Sequence, residues 1–313
     1  MTKTQIPLLF MEKIITICGP TGIGKTGFAI ALAKAFNAEI IGADSMQIYK
    51  YMDIGTAKPD AAELAQAPHH LVDFLDPSLD FDAGQYAQMA AQKISDIIQK
   101  GRIPIIAGGT GLYIRALLYG LFRSRPVCEK TLAQLTKAAQ EKGSAYLHKK
   151  LCACDPAAAQ KIHPHDNFRI IRALEVFQTT GTPISLMQKK HNFASPRYQS
   201  LTLGLFMDRK TLYERIDFRV DAMIKNGLLA EVTDMVRKGY PLDLKSMQSI
   251  GYRHMGWFLK KELDFDQAIF LLKRDTRRYA KRQFTWFKKE PGIIWLKPSQ
   301  LSRAKALVKE FLT

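Results

Sequence analysis

Residues 19–26, "GPTGIGKT", place glycine, lysine and a hydroxyl at the spacing of a phosphate-binding loop, with Gly19, Gly24, Lys25 and Thr26 in its fixed positions. The glycines allow a tight turn in which backbone N–H groups converge on one concavity. A helix starting there offers its positive end to an anion. Gly19, Pro20, Thr21, Gly22, Ile23, Gly24, Lys25 and Thr26 therefore form a candidate site for a di- or triphosphate. Lys25 supplies a point charge, and the Thr26 hydroxyl is a candidate ligand for Mg²⁺, the expected cofactor. The pattern specifies a di- or triphosphate without specifying ATP. Two further groups follow short apolar runs: Asp44-Ser45 after "EIIG", and Gly108-Gly109-Thr110 after "IPIIA". A carboxylate and a hydroxyl beside a phosphate site suit proton handling and contact with a leaving group. Asp44 could also cap a helix or bind Mg²⁺, and Thr110 could cap the next helix or serve both roles.

The surrounding elements must bring these groups together. "KIITIC" (13–18) reads as a buried strand and "KTGFAIALAKAF" (25–36) has helical apolar spacing. Strands are expected at 39–42, within 69–77 and at the start of 102–113, with an amphipathic helix over 82–101. This alternation implies an α/β fold with a parallel, P-loop NTPase-like sheet flanked by helices. Ligands of such sheets bind outside the carboxyl ends of the strands, so the three motifs should share one crevice. From 122 to 197 the periodicity becomes helical, and "YQSLTLGLF" (198–206) resumes the sheet. The expected organisation is a core of 1–121 and 198–313 with a small helical domain, 122–197, inserted in it.

The 313-residue chain carries a net charge of +17, unevenly distributed. Residues 1–120 hold 10 Lys/Arg against 11 Asp/Glu, and the remainder 36 against 18. The first part suits a small-molecule site, the second a polyanion. On "FDQAIFLLKRDTRRYAKRQFTWFKK", Lys273, Arg277 and Lys281 fall on one helix face, as do Arg274, Arg278 and Arg282. Such rows suit RNA phosphates. The interleaved Tyr279, Phe284, Trp286 and Phe287 read as core. Four cysteines make no disulfide framework, and His163 and His165 lack a third ligand nearby. The N-terminal "IPLLFM" is too short for a signal core, and no apolar run approaches 18 residues. A soluble, cytoplasmic protein without a membrane partner is expected, acting as a monomer.

"GPTGIGKT", "ADSMQIYKYMDIGTAKP", "PHHLVDFLDP", "IPIIAGGTGLY", "IHPHDNFRIIRALEVF", "RIDFRVDAM", "SIGYRHM" and "AKRQFTWF" occur here in that order. Over nearly its whole length the chain resembles the bacterial tRNA dimethylallyltransferase (tRNA isopentenyltransferase) family. The resemblance implies transfer of the allylic group of dimethylallyl diphosphate to N6 of adenosine 37, next to the anticodon, with the loop holding the donor's diphosphate. It implies Asp44 as general base, and Thr110 and Arg219 at the bridging oxygen. It implies contact with the tRNA anticodon stem-loop through Asp44, Ser45, Met46 and Gln47. Further implied contacts are Phe168, Arg169, Ile170, Ile171 and Arg172 in the insertion, and Gln248, Ser249, Ile250, Gly251, Tyr252 and Arg253. The chain departs from the family pattern at His165, often asparagine, and at Thr131-Leu132, often Val-Arg. Two alternatives explain less. A P-loop small-molecule kinase leaves the basic 121–313 unused, and the strand at 103–107 ends without the Mg²⁺-holding acid of many P-loop ATPases, for which Asp73 is the weaker candidate. A non-catalytic RNA-binding protein leaves Lys25, Thr26, Asp44 and Thr110 unused.

Overall fold

The structure, a computed structural model, describes residues 11–121, 128–193 and 195–313. The chain forms two compact units: the described residues up to Leu118 with Pro196–Thr313, and Tyr119–Ser195. The first contains β1 (Lys13–Cys18), β2 (Ala38–Gly42), β3 (His69–His70), β4 (Ile103–Gly108), β5 (Gln199–Leu205) and β6 (Ile294–Leu296). They form one parallel sheet in the order β3-β2-β4-β1-β5-β6. A central parallel strand is buried on both faces and reads as a continuous apolar run. In β1, Ile14, Ile15, Ile17 and Cys18 are accordingly buried.

Helices α1 (Lys25–Phe36), α2 (Ala61–Leu64) and α3 (Ala83–Gln99) link the first four strands, and α4 (Gly111–Tyr119) follows β4. Gly24 starts α1 with φ +97°, a left-handed conformation that costs glycine least. Asp82 starts α3 with a capping box: its carboxylate accepts from Gly84 and Gln85 N–H, and the Gln85 side chain reaches back. Such a cap stabilises a helix by about 1 kcal/mol. Phe28, Ala29, Leu32 and Ala33 of α1 pack with Ile15, Ile105 and Leu203 of the sheet.

The second unit is helical. It comprises α5 (Glu129–Cys154), interrupted at Gly143 with φ +77°, then α6 (Pro156–Ala159), α7 (Asn167–Thr180) and α8 (Ile184–His191). Leu147, Leu151, Ile170 and Leu174 form its core. Buried Asp155 accepts from Ala158 N–H at 3.0 Å, and from Ser185 N–H and Oγ–H at 2.9 and 2.5 Å, tying α6 to α8.

After β5 the first unit continues with α9 (Arg209–Lys225), α10 (Leu228–Arg237), α11 (Tyr252–Leu259), α12 (Phe265–Phe287) and α13 (Leu301–Leu312). Two features differ from the sequence reading. The run 69–77 contributes only His69–His70 to the sheet, because Leu71 and Asp73 adopt φ +57° and +56°, which ends a ladder. The edge strand β6, three residues long, and α13 complete the unit beyond the expected helices. Among the described residues, no helix is long and apolar enough to cross a membrane.

Candidate active site

The strand order brings three carboxyl ends side by side, those of β2, β4 and β1. The loop 19–26 leaves β1, Asp44 follows β2, and Gly109-Thr110 follow β4. A cleft of about 340 Å³ lies outside these ends. It is lined by Thr21, Lys25, Thr26, Asp44, Arg219 and Gly108, among others. The crossing of the β2 and β4 ends admits no side chain at Gly108, where a Cβ would stand 2.0 Å from the Ala43 carbonyl oxygen. Thr110 N–H donates to that same oxygen at 3.0 Å, which fixes the following loop.

Asp44 closes a tight turn. Its Oδ1 accepts from Met46 N–H at 2.9 Å and more distantly from Gln47 N–H at 3.4 Å. Oδ2 has no hydrogen-bond partner among the described residues, so a carboxylate oxygen is left for an incoming proton. Thr110 Oγ accepts from Ser45 N–H at 3.0 Å and donates its own proton to Ser45 Oγ in a long bond of 3.4 Å. Sequence reading allowed both a capping and a chemical role for these residues, and the turn around Asp44 uses only one of its oxygens.

The cations face the same space. Lys25 Nζ donates to the Pro20 carbonyl at 2.9 Å across its own loop. Burial pushes the Lys25 ammonium down to about 8, against the pull of Asp44 and with the help of Arg219. Arg219, on α9, donates to Thr21 Oγ at 2.5 Å. Its Nε is enclosed and unpartnered among the described residues. Burial lowers the proton affinity of this guanidinium, and Asp44 opposes the shift. A withdrawn cation with donors to spare calls for an anion, because an unpaired buried charge is costly. The site thus combines a phosphate loop, two half-buried cations, a hydroxyl and a carboxylate.

The candidate RNA contacts are divided. Gln47 donates to the carbonyls of Thr56 and Ala57 at 3.2 and 2.8 Å, holding the neighbouring loop. On α7, Phe168 is 80% exposed and Arg169 is exposed beside Asp166. Ile170, however, is fully buried, Ile171 packs on the same core, and Arg172 pairs with Glu175. Gln248 is exposed and donates to the Leu242 carbonyl at 2.7 Å. Ile250 packs against a core, and the Ser249 hydroxyl is enclosed. Gly251, at φ +100°, begins α11; Tyr252 is fully buried with its hydroxyl on Glu231; Arg253 binds Asp275 at 2.6 Å. The Ile170 and Tyr252 side chains therefore belong to the core, not to a surface that meets RNA.

The α12 rows need a similar correction. Lys273 and Arg277 are taken by Asp221 and Asp217 of α9, each at 2.6 Å, and Arg274 by Asp275 at 3.0 Å. Arg278, Lys281 and Arg282 are exposed. Of the aromatics, Phe287 is buried, and Trp286 carries Arg115 4.3 Å from its ring centroid. Asp73 pairs with Lys58 at 2.7 Å. No cluster of three or more metal-ligating His, Cys, Asp or Glu occurs among the described residues. Two groups beside the site lie within the quoted sequence blocks but were given no role there: Lys58, and the buried amide of Gln283. A glutamine within a helical run carries no signal of its own; only its burial in the folded chain singles it out.

Comparisons with known proteins place the chain among relatives. The family described as IPP transferase matches residues 47–290. A protein named tRNA dimethylallyltransferase from Desulfosudis oleivorans is 50% identical over 301 residues, 96% of this chain and 96% of its own. The crystal structure of a tRNA isopentenylpyrophosphate transferase from Bacillus halodurans is similar with TM-score 0.71 and 38% identity, covering 96% of this chain and 97% of that one. A eukaryotic dimethylallyltransferase solved acting on tRNA is similar with TM-score 0.81 and 30% identity, covering 96% and 79%.

Proposed function

The chain belongs to the tRNA dimethylallyltransferase (IPP transferase) family, and on that premise we propose that it transfers the dimethylallyl group of dimethylallyl diphosphate to N6 of adenosine 37 of tRNA, releasing diphosphate. The supporting observation is that the phosphate loop, Asp44 and Arg219 line one cleft, with Thr110 hydrogen-bonded to Ser45 beside Asp44. Breaking the allylic C–O bond builds negative charge on the bridging oxygen. Thr110 O–H and Arg219 N–H are fixed donors for that charge, and such preorganised donors stabilise a transition state without reorganising. Lys25 and the loop amides hold the outer phosphates.

The exocyclic amine is a weak nucleophile because its lone pair is delocalised into the ring. As its nitrogen bonds the allylic carbon, it loses a proton. Asp44 Oδ2 is the acceptor, and a positioned base is worth about 10²–10⁴-fold. The adenine must leave its stack to reach this depth. Mg²⁺, when bound, neutralises diphosphate charge. The residues fit it sparingly: Thr26, which lines the cleft, would be its side-chain ligand, and the ion would otherwise rely on substrate oxygens and water. We place the reaction in the cytoplasm, with the enzyme acting as a monomer.

Incubation with tRNA and dimethylallyl diphosphate, followed by nucleoside mass analysis, tests this reading. Adenosine heavier by one dimethylallyl group, with diphosphate released, is the expected product. Hydrolysis of ATP, or transfer of its γ-phosphate without prenylation, overturns it.

A further inference from the structure

Gln283 sits on α12, buried, with both ends of its amide engaged on different loops. Oε1 accepts from Thr21 N–H in the phosphate loop at 2.8 Å. Nε2 donates to the Gly109 carbonyl at 2.9 Å. Gly109 is the residue before Thr110, and a Cβ there would stand 2.3 Å from Gln283 Nε2. The amide is therefore seated against bare backbone on that side. Thr21 is held from a second direction by Arg219 on its hydroxyl.

From this geometry we infer that Gln283 is a positioning residue for the reaction: its single amide sets the spacing between the loop that holds the diphosphate and the loop that presents Thr110 to the bridging oxygen. β4 and β1 are hydrogen-bonded only up to Gly108 and Cys18. Beyond them the ladder no longer fixes the loops, and the Gln283 amide is a side-chain bridge across the gap. It touches no reacting atom. A shift of about 1 Å in such a frame can cost on the order of 10²-fold in rate. Glutamate keeps the acceptor for Thr21 but opposes one oxygen to another at Gly109. Methionine keeps the length and removes both bonds.

The inference rests on the proposed prenyl transfer, so wild-type turnover in the same assay is the control. Failure of wild type to prenylate counts against that reading, whereas wild-type turnover with unaffected variants counts against this one. Single-turnover transfer with tRNA and donor saturating is measured for wild type, Gln283→Met, Gln283→Glu, Thr110→Ala and the Gln283→Met/Thr110→Ala pair. Both Gln283 variants should lose roughly 10–100-fold in the transfer rate. Their affinities for tRNA and for pyrophosphate should stay within about threefold of wild type, which also reports that they are folded. In the Thr110→Ala background, Gln283→Met should cost little more, because the two residues act through one geometry. An unchanged transfer rate in Gln283→Glu overturns the inference. So does a full, additive loss in the double variant, or a loss confined to the donor KM.

Discussion

The crevice at the sheet edge and the outer face of α12 both carry arginine, and they treat it in opposite ways. Arg219 is half-buried in the cleft, fixed to Thr21, and has an enclosed Nε without a partner among the described residues. Arg278 and Arg282 stand in solvent, the first only 3.8 Å from Asp275 and the second over the Tyr279 ring. A transition state gains from donors that need no reorganisation, so desolvation and rigidity serve the crevice. RNA phosphates are many and forgiving of position, and counterion release rewards exposed cations. Under the proposed reaction the same side chain would serve chemistry where it is held in the cleft, and affinity where it is exposed.

Asp44→Asn should be the sharpest break in this contrast. It retains size and one acceptor oxygen but is a far weaker base. Single-turnover transfer should fall about 10²–10⁴-fold while tRNA and donor still bind. Near-normal transfer would move the proton acceptor out of the crevice.

Neighbouring residues on α7 separate support from contact. Ile170→Ala should cost about 2–5 kcal/mol of stability, read as a lower thermal or urea midpoint, because it empties a packed core. Phe168→Ala should leave the midpoint alone and weaken tRNA binding by about 1–3 kcal/mol if the exposed ring stacks on a base. The reverse pattern would invalidate the division between buried and exposed candidates.

Lys25 offers a titration of the crevice itself. With its ammonium pushed down to about 8, the free site holds the proton below that pH and has lost it above. Bound pyrophosphate favours the charged form, so binding above pH 8 must take up a proton. Affinity should therefore fall by about tenfold per pH unit above 8, measured by calorimetry. Lys25→Met should bind more weakly and lose this dependence, leaving only the titration of pyrophosphate. Stability of the ligand-free fold carries the opposite trend. The withdrawn ammonium is a penalty present below about pH 8, and it fades as pH rises toward the ordinary 10.5.

The smallest effects belong to the α12 surface. Arg278→Gln and Arg282→Gln should each lower the slope of log affinity against log salt by roughly 0.7–0.9, if each meets one phosphate. Arg274→Gln should change it less, since Asp275 already holds that side chain. Equal changes for all three would mean that tRNA displaces the internal pair.

The sequence carried the strand–helix alternation and the loop 19–26, because both rest on local rules: apolar periodicity, capping and the backbone freedom of glycine. It also placed Asp44 and Thr110 at strand ends, and strand ends in a parallel sheet face the ligand side. The helix rows of α12 were visible as spacing, but their roles were not. Spacing gives a face; it does not give the partner. Asp217 and Asp221 lie some sixty and fifty residues away in sequence and meet Arg277 and Lys273 only because α9 packs beside α12. Ile170 and Tyr252 likewise sat inside promising motifs, yet their apolar bulk went to the cores of the two units. Gln283 is the clearest case. A polar residue in a helix is ordinarily a solvated one; Tyr279 and Phe287, four residues to either side, put Gln283 on the core face but do not name its partners. Only when the strand order 4-1 brings Gly109 and Thr21 within one amide's reach does its burial become affordable, since both ends of the amide are then hydrogen-bonded.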